Sequence, residues 1–351
     1  MTPEPIFPFR HHGRTGAAVR VALVNLGLNI VTLSFWRFWG RTNVRRLLWG
    51  GTSVWDDPVE YTGLGGELFK GFLLVLLVVY LPLLGLYGWA QVLIAAEDPR
   101  GGLMLAGLYP LTIFLIAVGG FRARRYQLSR TLWRGIRGGQ TGSAVGYALR
   151  SMAVWVLVPL TLGWALPWGE MMLARYRLGH TTFGDRTFAC DAGVKGLYAR
   201  MAVMWLCGAV YLTLAVGFAV LLEQWGIEEE AGAFYLAMLA LGAVFVLVVP
   251  WAWYRAAVFT RLAAGTSFDG HRFTAQVRTW PLIRLVLGNA LISLFSLGVL
   301  RPWAAQRTFR FTCSVMAVDG VPDFAAIHQS ADHGPSTGEG LVSVLDGAGE
   351  F

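Results

Sequence analysis

Apolar residues fall along this chain in seven long runs, at about 17–36, 69–96, 102–120, 143–168, 198–222, 232–253 and 282–303. The runs show neither the alternation of a half-buried strand nor the one-sided stripe of a surface helix. Each is roughly long enough to cross about 30 Å of hydrocarbon as a helix. The pattern therefore predicts an all-α, polytopic membrane protein. Runs two and three are joined through Ala96-Glu97-Asp98-Pro99-Arg100, and runs five and six through Glu223 to Ala231. Each pair predicts a transmembrane helical hairpin, over 69–120 and 198–253.

The other three runs end alike. They close on Thr32-Leu33-Ser34-Phe35-Trp36-Arg37-Phe38-Trp39, on Thr161-Leu162-Gly163-Trp164-Ala165-Leu166-Pro167-Trp168 and on Ser296-Leu297-Gly298-Val299-Leu300-Arg301-Pro302-Trp303. A hydroxyl comes first, Leu second, a small residue third and Trp last. Seven residues beyond each Trp stands an arginine: Arg46, Arg175 and Arg310. Eleven or twelve residues before each hydroxyl stands another: Arg20, Arg150 and Arg284. Copies one and three share Asn25 and Asn289. The only lysines, Lys70 and Lys195, each open a hairpin. The order is motif, hairpin, motif, hairpin, motif, an internal repeat. The copies span about 17–63, 131–193 and 266–320. A polar N-terminus, 1–16, precedes this 17–320 membrane domain. It lacks the apolar core of a signal peptide, so the first run is expected to direct insertion. The acidic, Gly- and Ser-rich stretch 321–351 is expected to be disordered.

Composition agrees with lipid as solvent: 55% of residues are hydrophobic and 14% charged, with mean hydropathy +0.53, against about 25% charged in soluble domains. The net charge of +8 points to cytoplasmic loops and anionic lipid rather than to nucleic acid. The connections flanking the motifs are rich in arginine, while the two hairpin turns hold six acids against one arginine. The positive-inside bias places the basic connections in the cytoplasm. Seven simple crossings would strand the basic 169–197 connection outside. Either the motif segments re-enter or lie along the interface, which the charge pattern favours, or the two halves are inverted repeats.

The motif residues supply the candidates. Arg46, Arg175 and Arg310 with Trp39, Trp168 and Trp303 suit anionic headgroups, because guanidinium binds phosphate bidentately and Trp sits at the interface. Snorkelling and an aromatic belt are the simpler readings. Asn25, Asn289, Arg20, Arg150 and Arg284 are polar groups in or near apolar runs, which mark either interhelical bonds or a pathway. The glycine-rich stretch from Arg134 to Gly142 reads as a flexible basic loop, since it lacks the ending of a nucleotide loop. There is no His-Glu-x-x-His, no Gly-x-Ser-x-Gly and no Cys/His cluster; no cofactor, metal or catalysis is expected. The three cysteines, Cys190, Cys207 and Cys313, are scattered.

The repeated block, with Thr131-Leu132-Trp133-Arg134-Gly135-Ile136-Arg137 before copy two and Phe183-Gly184-Asp185 after it, resembles the YjgN family of bacterial inner-membrane proteins, over roughly residues 7–320. The resemblance implies a multi-pass inner-membrane protein, no known activity, and a membrane-associated metallopeptidase as a protein partner. The reading is a non-enzymatic scaffold or regulator that binds anionic lipid headgroups or a partner. A transporter or channel for a hydrophobic or anionic solute is the alternative, and a lipid-modifying enzyme a distant third.

Overall fold

The strands that organise the molecule lie in the basic connections, where the apolar pattern stops. The computed structural model describes residues 6–225, 229–330 and 334–335 and resolves into five successive units, each leaving a sheet as helix and returning to it as helix. The first is β1 (Phe9–His11), α1 (Thr15–Val31), α2 (Arg37–Gly50) and β2 (Thr52–Val54). The second is β3 (Asp57–Tyr61), α3 (Gly65–Val75), α4 (Leu81–Ala95), α5 (Pro99–Ser129) and β4 (Thr131–Trp133); a π-turn, Leu76–Tyr80, makes α3 and α4 one continuous helix. The third is β5 (Ile136–Gln140), α6 (Ala144–Leu160), α7 (Leu166–Gly179) and β6 (Thr181–Phe183). The fourth opens on β7 (Arg186–Thr187) and β8 (Ala189–Cys190), continues through α8 (Leu197–Gln224) and α9 (Glu229–Ala264), and ends on β9 (Thr266–Phe268). The fifth is β10 (His271–Ala275), α10 (Thr279–Phe295), α11 (Arg301–Val315) and β11 (Met316–Val318).

The expected all-α fold is thus corrected: strands of two to five residues pair antiparallel around a ring. The ladder runs from β1 to β7, passes Phe188 into β8, and continues through β9 and β10 to β11. Ile6 then pairs with Val318 and closes it. Local chemistry explains four of the five returns to the sheet. Thr52, Thr131, Thr181 and Thr266 donate their hydroxyls to carbonyls four residues back, over 2.6–2.9 Å, where helix gives way to strand. Two-residue turns follow at Trp55-Asp56, Arg134-Gly135, Gly184-Asp185 and Asp269-Gly270. Positive φ at Trp55, Asp56, Arg134, Gly135, Asp269 and Gly270 gives three of these turns the twist that antiparallel strands require. The stretch Arg134 to Gly142, read from sequence as a flexible loop, is in fact mostly the β4–β5 hairpin.

One backbone bond recurs in all five units. The residue after each opening strand donates to the end of the returning helix: His12 to Gly51, Thr62 to Arg130, Thr141 to His180, Asp191 to Gly265 and Gln276 to Val315. Aromatic rings fill the ladder. Phe9, Trp55, Trp133, Phe183, Phe268, Phe188 and Phe273 form a closed circuit with neighbouring centroids 4.6–6.5 Å apart. Phe324 packs on Trp55 and Trp133 at 5.0 and 4.8 Å. This corrects the expected disorder of 321–351 for its first part. Residues 324–326 form a 3-10 turn, and Asp185 N–H donates to His328 O while Arg137 N–H donates to Gln329 Oε1. The expectation for 331–333 and 336–351 lies outside the described residues.

Four helices are long and apolar enough to cross a membrane: Gly65–Ala95, Pro99–Ser129, Leu197–Leu222 and Ala237–Ala264. The three motif runs form shorter helices, α1, α6 and α10, of 17 residues each, or about 26 Å. Each then turns. The motif hydroxyl donates to the carbonyl four residues back and accepts the N–H four residues ahead. The following Leu takes φ 49° in all three copies, and the third residue, Ser34, Gly163 or Gly298, takes 70°, 90° or 82°. That third position therefore favours glycine. The turns display Leu33, Leu162 and Leu297 at 84%, 69% and 91% exposure.

Trp133 is the test of the closed ring. It is buried in the aromatic circuit, and its indole N–H bonds Val54 O and Asp57 O. Trp133→Ala is expected to remove about 3–5 kcal/mol of stability, and Trp133→Phe distinctly less, measured as thermal unfolding in detergent.

Candidate functional site

The motif residues occupy equivalent positions on the helices. Trp39, Trp168 and Trp303 are the third residues of α2, α7 and α11, and Arg46, Arg175 and Arg310 the tenth. Ten residues into a helix that returns to the ring, each arginine is near the junction of helix and strand, and all three are exposed. Arg46 donates to Gly63 O at 3.0 Å and Arg310 to Gly13 O at 2.8 Å. Both carbonyls lie two residues before a neighbouring helix begins. One nitrogen of each guanidinium thus fixes a helix start, and the remainder faces outward. Trp39 packs on Trp36 and Phe69 and against Gly65, where a Cβ would meet its ring at 2.6 Å.

In copies one and three an asparagine holds the motif's two helices together. Asn25 Nδ2 donates to Gly40 O at 3.2 Å and its Oδ1 accepts the Trp36 indole N–H. Asn289 Nδ2 donates to Ala304 O at 3.1 Å and its Oδ1 accepts from Arg307. Arg150 donates to Gly146 O and lies 4.6 Å from the Tyr176 ring centre. Arg20 and Arg284 are exposed. The three copies do not converge. The units follow one another around the ring, α2 on α3, α5 on α6, α7 on α8, α9 on α10 and α11 on α1. Copies one and three are neighbours, and copy two sits between the two long hairpins.

The sequence of this architecture has relatives. A family of bacterial proteins of unknown function, DUF898, matches residues 7–344. The chain belongs to that family. Among curated proteins, a 2-keto-3-deoxygluconate permease of Enterobacter sp. (strain 638) is 26% identical over 147 residues, which is 42% of this chain and 37% of that protein. The chain thus matches little more than a third of the permease's length. No solved structure matches.

In this DUF898 protein two carboxylates escaped the sequence reading. Glu67 accepts from Tyr126 O–H at 2.6 Å and Arg130 at 2.8 Å, and Glu170 from Tyr254 O–H at 2.9 Å and Arg255 at 2.8 Å. Each carboxylate accepts from one phenol and one guanidinium, an arrangement that clamps helices. The Glu-Leu-Phe-Lys and Trp-Gly-Glu contexts of the two share no spacing that would have exposed the parallel. Among the described residues no group of three His, Cys, Asp or Glu could hold a metal.

His11 gives the rim a pH dependence. Its Nδ1 lies 2.9 Å from Thr52 Oγ1. Burial, then the charges of Arg310 and His12, hold its pKa below the usual 6.5. The unfolded chain therefore binds a proton that the fold excludes. Stability is expected to fall as pH drops through 6.5 and to level off below the folded pKa. His11→Asn is expected to flatten that part of a melting-temperature profile.

Proposed function

We propose that this protein is a non-enzymatic, multi-pass protein of the bacterial inner membrane that binds anionic lipid headgroups where its ring of strands meets the bilayer, as a scaffold or regulator. The observation that carries the reading is the pairing of apolar turn tips with an arginine-bearing rim. Leu33, Leu162 and Leu297 are exposed at the ends of helices about 26 Å long, short of the roughly 30 Å of a bilayer's hydrocarbon. On this reading the motif hairpins dip into the membrane and return. Ring and arginines then share the cytoplasmic side, and only the far ends of the two long hairpins emerge opposite. A carrier for a hydrophobic or anionic solute is the second reading, favoured by the partial likeness to a permease. A membrane-associated metallopeptidase is the protein partner proposed, to be sought by affinity purification with mass spectrometry.

Topology is tested with an impermeant maleimide on intact spheroplasts, after Cys190, Cys207 and Cys313 are replaced by Ser. Glu97→Cys is expected to label from outside, Arg186→Cys only after permeabilisation, and Leu297→Cys from neither side. Labelling of Leu297→Cys from outside would defeat re-entry. For function, Arg46, Arg175 and Arg310→Gln together are expected to weaken binding of phosphatidylglycerol relative to phosphatidylcholine and to reduce its salt dependence. Unchanged binding would remove the rim from the reading, and solute flux into reconstituted vesicles would favour the carrier.

A further inference from the structure

A cavity of about 710 Å³ opens at the seam between α5 and α6. Its two ends differ in chemistry. Arg124, Gln127, Tyr147 and Ser151 line one end together with Arg177 from α7, while Tyr109, Ile113, Ile116 and Trp155 line the other. Tyr109, Ile113 and Trp155 also border a second cavity of about 760 Å³, which continues past Met152 and Pro159 to the motif turn at Leu162-Gly163. A polar head end thus leads into a long apolar trough.

The two arginines differ from those whose charge the fold meets with a partner of its own. Elsewhere, Arg130 pairs with Glu67, Arg255 with Glu170 and Arg134 with Asp57. Arg46 and Arg310 have carbonyls, and Arg150 has a carbonyl and a ring. Arg124 and Arg177 have no ion pair and no side-chain hydrogen bond among the described residues. Arg124 Nε is buried without a partner. No carboxylate lines the cavity, so the two guanidiniums repel one another across it. Unpaired cations beside apolar helices are unfavourable unless an anion neutralises them.

We propose that this cavity binds one anionic glycerophospholipid, its phosphate between Arg124 and Arg177 and an acyl chain in the trough along α5 and α6. The dimensions fit. Arg124 to Ile113 is about 16 Å of helix, close to half of the roughly 30 Å hydrocarbon thickness, as one leaflet requires. Tyr147 O–H, Ser151 O–H and the Gln127 amide add neutral donors beside the guanidiniums, which bind phosphate oxygens bidentately. The inference rests on the anionic-lipid reading above and gives it a specific seat, at residues outside the repeated motif.

The full-length chain in mild detergent is titrated with phosphatidylglycerol and read by native mass spectrometry. Arg124→Gln with Arg177→Gln is expected to weaken binding at least ~10-fold, the loss of one or two charge-assisted bonds. Gly120→Leu tests the trough without touching charge. A Cβ at Gly120 meets nothing within 4 Å, so the side chain enters open space without collision. This variant is expected to keep the melting temperature of the parent and to lose the lipid as well. Inorganic phosphate at millimolar concentration is expected not to displace it. Equal lipid retention in both variants, or displacement by inorganic phosphate, overturns the site. A preference for phosphatidylglycerol over phosphatidylcholine that persists in both variants sinks the cavity alone, whereas no preference in the parent chain removes the wider reading with it.

Discussion

The closed hydrogen-bond ladder is the constraint on which the rest of the molecule depends. Its strands are two to five residues long, too short to be stable in isolation or as an open sheet. An open edge beside apolar helices would also leave backbone N–H and C=O groups unpaired. Closure between Ile6 and Val318 removes the edge. It also dictates everything attached to the ring. A unit that begins and ends on the same ring must leave and return, so its helices come in pairs. The odd number of apolar runs, which made seven crossings awkward, is a consequence. Each of the three motif runs is one member of a pair whose second member does not look apolar.

Those second members explain how much of the fold was legible. The four long helices could be read because lipid-facing surface needs continuous apolar sequence. The returning helices α2, α7 and α11 could not, because they carry arginines. In α2 alone these are Arg37, Arg41, Arg45 and Arg46. Arg45 is nevertheless buried, its charge bonded to the Tyr61 hydroxyl and set 5.7 Å from that ring. Tertiary partners turn a segment that reads as a polar loop into a packed helix. The strands were invisible for a different reason. Three residues give no alternation to count, and what marks them is a threonine, then two residues on an aromatic or branched side chain, then a turn. Those threonines stand at 52, 131, 181 and 266, spaced unevenly because long and short hairpins intervene, so no fixed period exposes them.

The motif itself changes meaning once the backbone is in view. Its hydroxyl, leucine and small residue recur because the chain must turn there. A hydroxyl bonds on both sides of the turn, and the third position must accept a positive φ. Its asparagines, in copies one and three, bond the two helices of their copy at the same height. Recurrence at a shared offset is thus explained by geometry for most of the motif. Trp39 buttresses Gly65, and Arg46 and Arg310 fix the starts of neighbouring helices.

A scaffold of five similar units gains a specific site only where a unit departs from the pattern. Glu67 and Glu170 are departures that the structure neutralises with partners of its own. Arg124 and Arg177 have no such partner among the described residues, at a seam where a long hairpin from unit two meets a motif hairpin from unit three across an open cavity lined by both. An unpaired guanidinium whose Nε is buried, as in Arg124, costs free energy against the small margin by which a fold is stable. Side chains that only packed the seam would be better uncharged. Retaining both charges without a carboxylate among the described residues is physically reasonable if the neutralising anion comes from outside the chain. A phospholipid is the anion that the adjoining apolar trough can also hold.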